Sequence, residues 1–289
     1  AIPPLLERFR QSVLAAAFRG DLTADWRAQN PDVEPADQLL ERIRAERRRC
    51  WEEDYLAKQR AKGKEPKNDK WKAKYEEPES LGDQELPPLP ETWAWVSAQE
   101  CAWEITVGHV GPMQKEYVES GIPFLRSQNV RENRYDPAGL MFISSDFHAR
   151  LATSALRPGD VVVVRSGAPG TACVVPQGLG EANCADLVIL RPVPMVEPHL
   201  LAYYLNSPGA QARVRGAQVG VAQQHFNVGS MKKKALPLMP APEQAVLRER
   251  VEGLLGRVEA MAASFQFGED QLNHLDRAVL AKAFRGELV

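Results

Sequence analysis

Cysteine is sparse in this sequence, and its four copies, Cys50, Cys101, Cys173 and Cys184, lie far apart. No Cys-x-x-Cys pair exists, which argues against a zinc knuckle or a dithiol redox centre. A reduced, cytoplasmic protein is the simplest expectation. Long apolar runs are missing as well. None approaches the roughly 18 residues of a membrane helix, and the opening AIPPLLERFR has no apolar signal core. No membrane partner is expected. Nor is there an excess of charge of either sign. The formal net charge is −2 over 289 residues, so no global field announces a polyanion binder, and any such contact must come from local patches.

Catalytic patterns are equally scarce. The five histidines, His109, His148, His199, His225 and His274, are scattered, and no His-Glu-x-x-His occurs; no metal site is expected. Gly-x-Ser-x-Gly is absent. SGAPGT at 166–171 leads into an apolar strand rather than a helix, which argues against a phosphate loop. Glu52, Glu53 and Asp54 sit in a charged helix and read as solvated acids. Asn30-Pro31-Asp32-Val33 shares only its first two letters with the Asn-Pro-Pro-aromatic motif of amino-methyltransferases, and no Gly-rich cofactor loop accompanies it. No catalytic residue and no cofactor are therefore expected on this chain.

What the sequence does have is a core and a repeat. At 44% hydrophobic and 26% charged residues it can bury an interior and stay hydrated outside. Residues 6–22 read LERFRQSVLAAAFRGDL and residues 272–288 read LNHLDRAVLAKAFRGEL, identical at 9 of 17 positions. Two copies that bracket everything else are not a solenoid. Helical bias explains shared Ala and Leu, but not a shared Phe-Arg-Gly followed by an acid and Leu. A duplicated docking helix is the better reading.

Four stretches follow from this frame. Residues 1–22 form the first helical region. Residues 23–86, punctuated by prolines, read as a charged linker with a helix from Ala36 to about Arg60. Between 41 and 74 this stretch holds 13 Lys/Arg against 7 Asp/Glu, either a phosphate-contacting surface or a solvated helix laced with ion pairs; interleaved acids favour the second. Residues 87–240 have short strands and turns: Trp93 and Trp95 on an opening strand, a hairpin from Val161-Val162-Val163-Val164 through 166–171 to Ala172-Cys173-Val174-Val175, a strand at Leu187-Val188-Ile189-Leu190, and a short helix at PHLLAYYLN. Residues 241–289 are helical, with Leu247, Val251, Leu254, Val258, Met261 and Phe265 in a heptad seam that resumes at Leu272, Leu275 and Val279. A continuous helix there would run roughly 70 Å; a break near 266–268 would divide it. Leu6, Phe9 and Val13 share the register of Leu272, Leu275 and Val279.

Together these pieces resemble the specificity subunit of type I restriction–modification systems. LPETWAWV (89–96) looks like the opening of that family's target recognition domain. SGIPFLRSQNV (120–130) and LRPGDVVVVRSGAPG (156–170) look like its internal signatures, and QHFNVGSMKKKALPLMPAPEQ (224–244) like its closing one. The Phe-Arg-Gly repeat fits its conserved helical regions. The resemblance implies an α+β fold: a mixed α/β target recognition domain with short strands, plus long helices forming an antiparallel coiled coil. It implies a non-catalytic, sequence-specific DNA-recognition subunit. Such a subunit directs adenine methylation or cleavage by partner subunits to a split target site. Double-stranded DNA, modification subunits and, through the complex, restriction subunits are the implied partners. S-adenosylmethionine and ATP/Mg would sit on those partners. The family has two recognition domains and this chain has room for one. That leaves two readings, a piece of a longer subunit or a half-subunit that pairs with itself, and the heptad seam allows self-association. A coiled-coil assembly scaffold and a stand-alone DNA methyltransferase are the competing functions.

DNA reading needs cations for phosphates and flat donor–acceptor side chains for base edges. Three clusters in loop-like contexts offer them: Arg126, Ser127, Gln128 and Asn129; Arg165 and Ser166; and Gln223, Gln224, His225 and Asn227 leading to Lys232, Lys233 and Lys234. The three lysines suit phosphate, Arg126 a guanine edge, and Gln or Asn an adenine edge. Arg213 and Arg215 are further phosphate candidates. Each has a plain structural alternative, as a turn residue, a core residue or a solvated side chain.

Overall fold

The computed structural model describes residues 2–64, 66–82, 84–216 and 226–285. Helix α1 (Ile2–Arg19) ends at Gly20, which adopts φ +83°. A side chain could not replace that hydrogen: a Cβ there would lie 2.4 Å from Pro90 Cγ. The Phe-Arg-Gly-Asp-Leu motif thereby acquires a reason at each position. Phe18 packs edge-on against Tyr204, with centroids 5.1 Å apart. Arg19 pairs with Asp21 at 2.6 Å. Gly20 makes the left-handed turn, and the Leu22 carbonyl accepts from Arg250.

Short α2 (Ala24–Gln29) leads to α3 (Ala36–Ala61). The stretch expected as a linker is held against the body of the molecule, because Leu39, Ile43 and Arg47 are buried on one face of α3. Arg47 donates to the carbonyls of Gln99 and Ala102 and to the Tyr75 hydroxyl. Sparse apolar spacing hid this, since the buried face is completed by an arginine.

The central region begins with β1 (Ala94–Ser97), α4 (Ala98–Cys101) and β2 (Ala102–Val107). Ser97 and Glu100 form a reciprocal capping box that starts α4. Then come β3 (Tyr117–Val118), β4 (Ile122–Leu125), β5 (Val130–Arg131), β6 (Arg134–Tyr135), β7 (Met141–Ile143), α5 (Ser145–Arg150) and β8 (Ala155–Leu156). The region closes with β9 (Val161–Val164), β10 (Ala172–Val174), β11 (Ala182–Cys184), β12 (Leu187–Pro192), α6 (Pro198–Leu205), α7 (Pro208–Gly216), α8 (Val228–Lys232) and β13 (Ala235–Leu238). One sheet runs β10-β9-β12-β2 and another β3-β7-β4-β11-β8, in which β4 and β11 are parallel. The valine run is uninterrupted because β9 is covered on both faces: Val161 and Val163 enter one core, Val162 and Val164 a second. The hairpin and the helix at 198 stand where the sequence placed them. Strand β1 pairs antiparallel with β13, so the opening and closing signatures zip together.

Helix α9 (Ala241–Phe284) is continuous through Gly268 and lies antiparallel to α1. Arg250 meets Asp25, while Glu7 and Arg10 share a cleft with Glu252 and Glu259. Leu247, Val251, Leu255 and Val258 are buried and Leu254 half-buried, but from Met261 onward the seam is exposed. Identical residues in the two repeat copies thus differ sharply. Val13, Leu14 and Phe18 are 5%, 0% and 9% exposed, against 44%, 57% and 90% for Val279, Leu280 and Phe284.

Candidate nucleic-acid interface

Four strand ends converge at one edge of the two sheets. His109 N donates to the Cys184 carbonyl at 2.8 Å, Gly108 N to Leu187, Asp186 N to His109, and Ala185 N to Leu125. The segments leaving β2, β4, β9 and β11 are therefore neighbours. The approach is tight: a Cβ on Gly108 would stand 2.7 Å from Cys184 Sγ. Asp186 adopts φ +52° and accepts from Arg165 Nη1 at 2.7 Å. Arg165 Nε reaches the Phe226 carbonyl, and Phe226 N returns to the Arg165 carbonyl. Two of the three clusters expected from sequence, beginning at Arg126 and Arg165, are brought to this edge, together with the start of α8.

The individual side chains divide between edge and scaffold. Asn129 is buried; its Nδ2 donates to the Asp136 and Ala138 carbonyls and its Oδ1 accepts from Arg126 N. It builds the turn that presents Arg126 and Gln128. Both of those donate to the Gly139 carbonyl, at 2.9 and 3.0 Å, and Arg126 lies over the Tyr117 ring. Ser127 starts the same turn. Arg165 is held by Asp186, and Ser166 lies beside that carboxylate at 3.5 Å. Asn227 caps α8 by accepting from Ser230 N. Gln223, Gln224 and His225 lie outside the described residues, as does the Arg215 side chain.

The three lysines do not form one patch. Lys233 is exposed. Lys232 faces a cleft of about 280 Å³ shared with Trp51, Tyr55 and Trp103. Lys234 turns inward and donates to the Ala210 carbonyl at 3.2 Å. Burial, with Arg213 nearby, brings its ammonium down to about 8. Alternation along a helix end separated side chains that are adjacent in sequence. A cleft of about 660 Å³ between α1, α9 and the β5–β6 turn mixes Arg10, Arg131 and Arg134 with Glu7, Glu132, Glu252 and Glu259. Its mixed charge gives no uniform field for a polyanion.

Buried polar residues that sequence reasoning missed hold the interface to the helices. Glu243, fully buried, accepts from Thr23 Oγ1 at 2.6 Å and Trp93 Nε1 at 2.8 Å, and it pairs with Arg27. Gln244 bonds the backbone of Glu197, Met195 and Met239. The only signal available was an acid–amide pair, Glu243-Gln244, directly after the apolar run 235–242. Arg191 is likewise buried between Glu104 and Asp160. Burial, resisted by Arg191, pushes the Asp160 carboxyl up to about 6. Cys101, Cys173 and Cys184 are buried and their thiols pushed up, Cys173 to about 12, so none is a ready thiolate.

No family profile matches the chain. Two curated Escherichia coli proteins do. The type I restriction enzyme EcoBI specificity subunit is 24% identical over 294 residues, covering 99% of this chain and 51% of that protein. The EcoDI specificity subunit is 24% identical over 296 residues, covering 99% and 55%. A solved chain from a study of type I restriction–modification assembly superposes with TM-score 0.55 at 23% identity, over 88% of this chain and 58% of that one. The chain spans about half the length of the curated relatives it matches. Over almost its whole length, then, this α+β chain is similar to one half of a type I restriction enzyme specificity subunit.

Proposed function

We propose that the chain reads one half of a DNA target and delivers it to catalytic subunits. The observation that carries this reading is the similarity to specificity subunits along 99% of the chain. The geometry supports it. One α/β unit gathers Arg126, Gln128, Arg165 and Ser166 at a single edge, and α1 and α9 join that unit through Phe18 against Tyr204 and Glu243 against Trp93. The chain itself is non-catalytic in this reading. Methyl transfer and cleavage belong to modification and restriction subunits that carry S-adenosylmethionine and ATP/Mg.

The exposed copy of the repeat supports docking through the distal half of α9. Val279, Leu280 and Phe284 lack the cover that Val13, Leu14 and Phe18 receive. A helix repeating the sequence of α1 fits a surface like the one α1 occupies, supplied by a second copy or by a companion half. The test is methylation of a random duplex pool by the chain combined with type I modification subunits and S-adenosylmethionine. Selection of one adenine-containing sequence supports the reading, and a palindrome assigns the second half-site to a second copy. Uniform or absent methylation by an assembled complex rejects it in favour of a scaffold.

A further inference from the structure

Arg213 on α7 and Lys234 after α8 are neighbouring cations with no counter-charge among the described residues. Neither makes an ion pair among the described residues. Arg213 donates to the Tyr204 hydroxyl and lies over the rings of Trp95 and Tyr204, 5.7 and 5.8 Å from their centroids. Its Nε is buried and has no acceptor among the described residues. Lys234 Nζ has one neutral acceptor, the Ala210 carbonyl at 3.2 Å. The charges acting on Lys234 come from Arg213, with no acid among them. Tyr204 brings a hydroxyl and Trp95 an indole whose N–H is directed to the Pro87 carbonyl.

Two like charges drawn half out of water beside aromatic rings are unfavourable unless an anion joins them. The guanidinium supplies a planar donor fork and the ammonium three rotatable donors, a pairing suited to the tetrahedral oxygens of a phosphate group. Trp95 sits on β1 and Lys234 directly precedes β13, so the paired strands β1 and β13 fix Lys234 relative to the ring that Arg213 covers. Helix α7 also places Gln211 and Val214 against Gly170 in the turn that follows Arg165. The cation pair is thus tied, through one nine-residue helix, to the proposed reading edge.

We propose that Arg213 and Lys234 form a phosphate-binding site that grips the backbone of the duplex, independently of base sequence. This rests on the DNA-recognition reading and adds a sequence-blind clamp to it. Removing one phosphate contact lowers the slope of log affinity against log salt by about 0.9. The test compares the full chain, assembled with modification subunits, with its Arg213→Gln and Lys234→Met variants. Affinity for cognate and scrambled duplexes is measured from about 50 to 200 mM salt. Protection of Lys234 from amine acetylation is measured with duplex or with inorganic phosphate at constant ionic strength.

The expected result is a slope reduced by about 0.9 in each variant, equal loss on both duplexes, an unchanged selected sequence, and protection of Lys234 by duplex. Unchanged slopes in folded variants overturn the site while leaving the recognition reading intact. So does a loss confined to the cognate duplex. Protection by inorganic phosphate but not by duplex assigns the site to a free anion and overturns the clamp. Failure of the unaltered assembly to bind any duplex removes the recognition reading itself.

Discussion

Glu243 shows how much one side chain can organise. It joins the turn after α1, the opening signature and the first turn of α9 through Thr23, Arg27 and Trp93. Breaking a buried pair leaves an uncompensated charge, so Glu243→Gln should cost about 3 kcal/mol, read as a lower denaturant midpoint. The Lys234 effect has the opposite sign. Its ammonium is held down to about 8 in the folded chain, against 10.5 ordinarily. Between those values the unfolded chain binds more protons, so this group adds stability as pH rises through the window and detracts from it below pH 8. Arg213 is the charged group acting on it, and the Ala210 carbonyl is its acceptor. Lys234→Met should therefore stabilise the isolated chain by about 2 kcal/mol at pH 7, after allowing for the lost hydrogen bond. The advantage should fade by pH 10.5, which urea titrations at the two pH values will show. The same substitution should weaken DNA binding, a trade between stability and function.

At the scale of elements, α3 and the two halves of α9 make opposite predictions. Ile43 is completely buried on α3. Ile43→Ala should cost about 2–4 kcal/mol in unfolding free energy; a change under about 0.5 kcal/mol would return residues 36–61 to the status of a linker. The proximal half of α9 is part of the core through Leu247, Val251 and Val258, whereas residues 263–285 are almost wholly exposed. A chain ending after Ala262 should unfold within about 0.5 kcal/mol of the full chain. It should also lose the ability to join a second copy or a companion half, measured by sedimentation. A covered half followed by an uncovered half is not visible in a heptad pattern, because period 3.5 reports which residues share a face and not whether anything covers it.

For the whole molecule, the layout follows from closure. Strands β1 and β13 bring the ends of residues 94–238 together, so the helices on either side emerge as neighbours and pack antiparallel. In the proposed reading, this arrangement presents the reading edge while residues 263–285, exposed among the described residues, are left for docking. Under the proposed function, attraction to DNA is local rather than global, since the molecule as a whole carries −2. Its DNA affinity should accordingly respond to Arg213, Arg165 and Lys233 individually and little to remote surface lysines, as charge-neutralising substitutions and salt slopes will test.

Much of this organisation was determined by sequence alone. The valine strand, its hairpin, the helix at 198, the helix at 36 and the duplicated Phe-Arg-Gly helix all stand where periodicity and turn residues put them, because those signals are local. The candidate site was legible only in part. Arg126 and Arg165 do share an edge, but Asn129 turned inward to satisfy three backbone groups, and Lys232, Lys233 and Lys234 diverged into three environments. Arg213 and Lys234 were each legible as phosphate candidates, but neither their pairing nor the Glu243 junction was, since each joins residues from separate elements. Tertiary structure alone decided those, by bringing charges together across sequence distances that no local pattern spans and by setting which of the two repeat copies is covered.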